Sequence, residues 1–229
     1  KYASNAFLAT KVSFINEMAN ISDKVGADVK NVARIMGLDY RIGPKFLNAG
    51  VGYGGSCFPK DVKALVHFTQ EAGYTASIVD TVDKFNEKQK LVMLDKVKKV
   101  FKNNLKGKVF GFWGLSFKPK TSDMRDAPSI TIINELLNGG AVVKAYDPEA
   151  VEEAKKMFGS KITFCQSPQE AALGTDAIII ATEWDEFRGL DLAAIRKTMK
   201  SGFFFDGRNV YEPKHVREAG FEYHGMGQS

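Results

Sequence analysis

Gly52-Tyr53-Gly54-Gly55-Ser56-Cys57-Phe58-Pro59-Lys60-Asp61 brings a thiol, an ammonium and a carboxylate within one helical turn of each other behind a glycine-rich loop. Proline suits the first turn of a helix, where a missing N–H costs nothing. Val62, Leu65 and Val66 then recur at i, i+3 and i+4, the spacing of a helical face. The pattern places Cys57 just before a helix N-terminus, with Lys60 one turn on. The positive end of the helix and the nearby ammonium both favour thiolate over thiol, so Cys57 is a candidate nucleophile. Two other readings stand beside it. Lone cysteines commonly pack as small hydrophobes, and Cys165, next to Ile162-Thr163-Phe164, reads as one. The glycines, which permit positive φ or close backbone approach, would also serve a simple tight turn.

Other polar groups fall where a ligand could meet them. Leu8, Val12, Ile15 and Ala19 form a helical stripe, and counting back along that face gives Asn5 and then Lys1. A cation and an amide on an inward stripe need partners, unless a frayed helix start leaves both in water. Further along, Gly111-Phe112-Trp113-Gly114-Leu115-Ser116 is not a G-x-G-x-x-G fingerprint. The longer loop Ser116–Asp126 carries Lys118, Lys120 and Arg125 to a helix start, a phosphate-site pattern that an exposed basic loop would also show. Asp147 ends an apolar run and reads as the cap of the helix after Pro148, or else as a partner for a ribose hydroxyl.

The elements that must position these groups follow from periodicity. The first hundred residues read as helical, with Asp28 capping a short helix that stops at Gly37 and a long helix from Ser77 to Lys102. On that long helix Ile78, Val82, Phe85, Gln89, Val92, Val97 and Val100 share the packed face. The segment Leu38–Phe58 reads as loop. From Lys108 onward, strands at Val109–Trp113, Val142–Tyr146, Ala177–Ala181 and Phe203–Phe205 alternate with helices near Ser129–Leu137, Pro148–Met157, Gln169–Leu173 and Leu192–Met199. Alternation of this kind argues for an α/β fold, a helical region followed by a Rossmann-like parallel sheet. A chain of 229 residues, 44% hydrophobic and 26% charged, can bury a substantial core. The net charge of +5 is scattered, much of it along Lys84–Lys108, with no basic module interleaved with aromatics; nucleic acid is not an expected partner. No apolar run is long enough for a membrane span. Three histidines without His–Cys spacing offer no metal site. Two cysteines in unlike settings suggest a reducing, cytoplasmic compartment. The chain opens on Lys1 and enters helical pattern at once, so it reads as part of something longer.

Lys1-x-x-x-Asn5, Arg41-Ile42-Gly43 with Phe46-Leu47, Gly54-Gly55-Ser56-Cys57-Phe58-Pro59-Lys60-Asp61, Phe117-Lys118 with Asp123-Met124-Arg125, and Asp206-Gly207-Arg208 together resemble the UDP-glucose/GDP-mannose dehydrogenase family. The resemblance implies a helical dimerisation region over 1–103 and a UDP-sugar-binding Rossmann-like domain over 104–229. A separate NAD domain, absent from this chain, would precede them. It also implies a double oxidation of a sugar C6 alcohol to a carboxylate with NAD, by way of a thiohemiacetal and a thioester on Cys57. Lys1 and Asn5 match the groups that face the developing oxyanion, and Asp61 matches a carboxylate working with water. Arg41 matches a residue reaching the sugar across a homodimer interface. Phe46, Leu47, Asn48, Ala49, Gly50, Gly54, Phe117, Lys118 and Arg208 match substrate contacts, and Lys60 and Arg125 match positions facing NAD. Asn48 stands where some relatives carry lysine. Phe58 after the cysteine fits the UDP-glucose branch. A GDP-mannose or other UDP-sugar substrate, or a non-catalytic fragment that binds UDP-sugar and dimerises, are the alternatives.

Overall fold

A computed structural model describes residues 1–228. Its first hundred residues form four helices, α1 (Tyr2–Val25), α2 (Val29–Leu38), α3 (Phe58–Glu71) and α4 (Ser77–Val100). On α1 the buried positions include Ala9, Ile15 and Ala19, and the helix ends at Gly26 in the left-handed region (φ 72°). The Asp28 side chain caps α2 by accepting the Lys30 N–H at 2.9 Å. The expected stop at Gly37 is corrected: α2 runs on to Leu38 and is capped at Asp39. What Gly37 provides is room, because a β-carbon there would stand 2.9 Å from the Pro44 Cα of the returning loop. On α4, Val82, Gln89 and Val97 are buried. Ile78, expected on the same face, sits in the first turn and is 73% exposed. The helix stops at Val100, just before Lys102 and Asn103 take positive φ.

The rest of the chain alternates strand and helix: β1 (Val109–Trp113), α5 (Pro128–Asn138), β2 (Val142–Tyr146), α6 (Val151–Phe158), β3 (Thr163–Phe164), α7 (Pro168–Ala172), β4 (Ala177–Ile180), α8 (Leu192–Thr198), β5 (Phe203–Asp206), α9 (Pro213–Glu218) and β6 (Glu222–Gly225). The six strands are parallel, in the order β3-β2-β1-β4-β5-β6. Two of them escape an apolar-run search: β3 is two residues long, and β6 alternates exposed and buried positions at the sheet edge. One face packs Phe110, Phe112, Val143 and Ile179 against Met93, Leu94 and Val97 of α4 and Ile132, Ile133 and Leu136 of α5. The other buries Trp113, Ile178, Ile180 and Phe204 beneath Leu192, Ile195 and Val216. The C-terminal half of α4 is thus a core helix of the sheet, while its Val82 packs with Ala9, Tyr53 and Val62 of the helical region. Among the described residues no helix is long and apolar enough to cross a membrane.

Strand order reverses between β1 and β4, and ligands of such sheets bind at the carboxyl ends of the strands beside that switch point. The loop after β1 is held there by Asp147. This residue is 1% exposed, and its Oδ2 accepts the N–H groups of Leu115 (2.6 Å) and Ser116 (3.1 Å) and the Trp184 indole (3.1 Å). Its Oδ1 accepts the N–H groups of Glu149 and Ala150. The Oδ1 bonds cap the turn that leads from Pro148 into α6, as the first reading expects, although α6 itself begins at Val151 with Ala150 before it. The ribose reading is corrected, because these oxygens are taken by protein donors. Asp147→Ala would leave several buried N–H groups without an acceptor, a loss of at least about 3 kcal/mol; urea unfolding of the variant measures it.

Candidate active site

Cys57 occupies the N-cap position of α3, with Pro59 in the first turn, and its side chain is exposed. It lines an open cleft of about 600 Å³ together with Lys1, Gly55, Ser56, Lys60, Asp61, Arg125 and Asp126. Asp61, one turn into α3, is 1% exposed. Its Oδ2 accepts the Asn5 carboxamide at 2.6 Å and lies 3.5 Å from the Lys1 ammonium. The cation and amide at the start of α1 thus meet the carboxylate of α3, and neither is left to water alone. Ser56 Oγ sits 3.8 Å from the thiol.

The glycines make the loop fit rather than merely turn. A β-carbon on Gly54 would stand 2.5 Å from the Asp126 carbonyl oxygen, and one on Gly55 would stand 2.7 Å from the Phe117 ring. Gly55 also takes φ +84° and donates its N–H to the Arg125 carbonyl at 2.7 Å. The thiol loop is therefore seated directly on the loop after β1, which brings Phe117 and Arg125 beside it. Lys118 is exposed, its ammonium 5.3 Å from the Phe117 ring centroid. Phe46, with φ 63°, places its ring 6.1 Å from Phe58, which meets Tyr53 edge-on at 5.7 Å.

A second cavity, of about 390 Å³, lies between α2 and the carboxyl ends of β4 and β5. Leu47, Asn48 and Ala49 line it from the loop side, with Arg208 opposite and Lys30 and Arg34 on α2. Arg208 connects the two regions: its Nε donates to the Ala181 carbonyl at 2.9 Å, lies 3.2 Å from Glu183, and its Nη2 donates to the Phe117 carbonyl at 3.3 Å. Gly50 lies against this arginine, since a β-carbon there would be 3.0 Å from its Nη1. Arg41 lines neither cavity; it is exposed and paired at 2.6 Å with Asp39. Three polar residues that sequence reasoning missed as loop anchors, Asn16, Asn86 and Gln89, hold the loop from behind. Gln89 stood out only as a position on a packed face. A buried carboxamide has no spacing signature, so only its backbone partners reveal it.

The charges at the cleft are ordered by local pairs. Arg125 donates to Asp123 through Nε (3.0 Å) and Nη2 (2.8 Å), and this side-chain bonding holds the Asp123 carboxyl below its ordinary 3.8. A depressed folded value stabilises the fold above the unfolded pKa and loses that effect as pH falls through the folded one. Asp123→Asn should therefore lower the melting midpoint at pH 7, and the gap from wild type should close below the ordinary carboxylate range. Thermal scans across that window test the sign. Tyr53 offers a control of the opposite kind. Its hydroxyl is buried without a hydrogen-bond partner, and burial pushes its ionisation well above the usual phenol range. Tyr53→Phe should leave stability unchanged or raise it by up to about 1 kcal/mol, as denaturant midpoints will show. Among the described residues, no group of three His, Cys, Asp or Glu side chains is placed to hold a metal.

Fold and site together define a class: a doubly wound parallel sheet whose switch-point loops face an exposed thiol at a helix N-terminus. The model of the UDP-glucose/GDP-mannose dehydrogenase family, central domain, matches residues 1–88, and that of the family's UDP binding domain matches residues 111–213. The chain belongs to this family. It is 45% identical over 228 residues to a UDP-glucose 6-dehydrogenase of Bacillus subtilis, covering 100% of this chain and 49% of the relative. A Rhizobium meliloti UDP-glucose 6-dehydrogenase is 46% identical over 228 residues, covering 100% of this chain and 52% of the relative. The solved structure of a UDP-glucose dehydrogenase from Pyrobaculum islandicum superposes with a TM-score of 0.90 at 36% identity, covering 100% of this chain and 50% of that one. The chain spans about half the length of the relatives it matches.

Proposed function

We propose that this chain carries the thiol and sugar-nucleotide part of an NAD-dependent UDP-glucose 6-dehydrogenase, which converts the C6 alcohol of UDP-glucose to the carboxylate of UDP-glucuronate. One observation carries the reading: Cys57, Lys1 and Asp61 open onto a single cleft, with Asn5 bonded to Asp61. The relatives named above support the substrate. On this reading residues 1–103 form the helical, dimerising region and 104–229 the UDP-sugar domain.

Two NAD molecules, one after the other, would each accept one of the two hydrides that leave C6. Lys60 and Arg125, both exposed on the rim of the Cys57 cleft, are the cations suited to the NAD phosphates. Among the described residues no strand-to-helix turn carries a G-x-G-x-x-G fingerprint. After the first hydride and a proton have left, the C6 carbon is an aldehyde. The Cys57 thiolate adds to it, forming a C–S bond and an alkoxide that takes up a proton to give the thiohemiacetal. Loss of the second hydride and that proton leaves a thioester. Water then adds, the C–S bond breaks, the electron pair returns to sulfur and the acid departs. Each stage places negative charge on the C6 oxygen, and this reading assigns its stabilisation to the Lys1 ammonium and the Asn5 carboxamide, both held by Asp61. Asp61, already in contact with both, takes the proton of the attacking water.

Phe46, Leu47, Asn48, Ala49, Gly50, Gly54, Phe117, Lys118 and Arg208 hold the nucleotide sugar along the path from the Arg208 cavity to the thiol. A homodimer is supported by α1, whose outer face exposes Phe7, Phe14 and Ile21 at seven-residue spacing. Arg41, exposed and outside both cavities, then reaches the partner's sugar. Two unpaired thiols suit a reducing, cytoplasmic setting.

In the full-length protein Cys57→Ser should reduce steady-state formation of UDP-glucuronate by about a thousand-fold, with UDP-glucose affinity retained in calorimetry. Undiminished turnover rejects the nucleophile. A purely binding role is favoured instead if the protein takes up UDP but never oxidises UDP-glucose.

A further inference from the structure

The loop that bears Cys57 has no β-ladder to hold it. Residues 39–57 contain neither helix nor strand, yet Gly50–Gly55 is buried, so its peptide groups need partners other than water. The Val51 N–H finds the Gly207 carbonyl at 3.1 Å and the Gly55 N–H that of Arg125 at 2.7 Å; side-chain amides hold Gly50 and Tyr53. Asn86 of α4 accepts the Tyr53 N–H through Oδ1 at 2.9 Å and donates Nδ2 to the Tyr53 carbonyl at 3.0 Å. It thereby grips both backbone groups of one residue, as a neighbouring strand would. One turn on, Gln89 donates to the Gly50 carbonyl at 2.8 Å, and its own oxygen accepts Asn20 of α1 at 2.8 Å. Asn16 of α1 accepts the Gly50 N–H at 2.8 Å. Asn16, Asn86 and Gln89 are each 1% exposed. Gly52, between the two gripped residues, takes φ +94° and presses on the clamp: a β-carbon there would lie 2.9 Å from Asn86 Oδ1.

We infer that Asn86 is a positioning residue for the thiol, its carboxamide fixing the register of Gly50–Cys57 between α4 and the loop after β1. The inference rests on the reaction proposed above. From Tyr53 the chain reaches Cys57 in four residues, two of them glycines wedged against Asp126 and Phe117. A loop released at Tyr53 is held only at Gly50–Val51 before it and at the glycine wedge after it, so the sulfur loses its alignment with Lys1, Asn5 and Asp61 while the core stays intact. Asn86 touches no reacting atom on this account; it acts through the backbone of Tyr53. The isosteric change Asn86→Asp keeps an acceptor for the Tyr53 N–H and sets a carboxylate oxygen against the Tyr53 carbonyl. Asn86→Ala removes both bonds.

The test uses the full-length protein, with Leu94→Ala as a control. Leu94 is a buried core residue of the same helix, eight residues beyond Asn86, 1% exposed and packed in the sheet core. Two quantities are read beside the melting midpoint: kcat for UDP-glucose oxidation, and the rate of Cys57 alkylation by iodoacetamide, followed by peptide mass mapping. The expected result is a kcat reduced by about ten-fold or more in both Asn86 variants, with alkylation slowed about three-fold or more. Leu94→Ala, although less stable, should hold both quantities within about two-fold of wild type. If Asn86→Asp or Asn86→Ala folds and keeps both quantities within two-fold of wild type, or if Leu94→Ala changes them equally, the inference is overturned. The alkylation arm needs no turnover. A wild-type protein that fails to oxidise UDP-glucose would defeat the proposed reaction, while the change in alkylation still decides the clamp.

Discussion

Everything about the site depends on two backbones lying closer together than side chains would permit. Gly54 and Gly55 rest on the carbonyl of Asp126 and the ring of Phe117, and the Gly55 N–H is bonded to Arg125. This contact joins a helical region to a sheet at the point where ligands of parallel sheets bind. It sets a thiol from one beside cations and an aromatic ring from the other. A methyl group at either glycine would force the two loops apart, and Cys57 would leave the edge of the sheet.

Buried polar groups then hold the loops around the site. Asp147 gathers the loops after β1 and β4 at the switch point. Asp206, at the end of β5, accepts the N–H groups of Tyr211 (2.9 Å) and Arg208 (3.2 Å), and burial pushes its carboxyl above the usual range. It shapes the turn that aims Arg208 at Ala181, Glu183 and Phe117. Asn16, Asn86 and Gln89 do for the thiol loop what these two carboxylates do for the sheet. In each case side chains stand in for a ladder of backbone bonds, because the chain must leave regular structure to reach a ligand and still satisfy its peptide groups.

The long helix α1 works on two faces. Inward, it contributes Lys1 and Asn5 to Asp61 and Asn16 to Gly50. Outward, Phe7, Phe14 and Ile21 are left to solvent. A partner laid on that outer face would bear on the same rigid rod that sets the position of the cation and amide.

Local pattern alone was enough for much of this protein. Pro59 behind a cysteine, followed by Val62 at helical spacing, marks the start of α3, and apolar runs mark β1, β4 and β5, since burial on both faces requires unbroken apolar residues; β2, with Lys144 at its centre and Val142 exposed, is only half buried but still apolar enough to read as a strand. The order of Lys1, Asn5, Cys57, Asp61 and Arg208 along the chain pointed to the family. What the chain order could not show is distance. Gly37 reads as a stop but serves as a landing for Pro44, and Asp147 reads as a cap but serves also as a junction between two loops. Asn86 and Gln89 are ordinary polar positions until Tyr53 and Gly50 arrive from more than thirty residues away. Helices and buried strands obey rules that act over a few neighbours, whereas hydrogen bonds to a loop belong to whichever residue the completed fold brings within 3 Å.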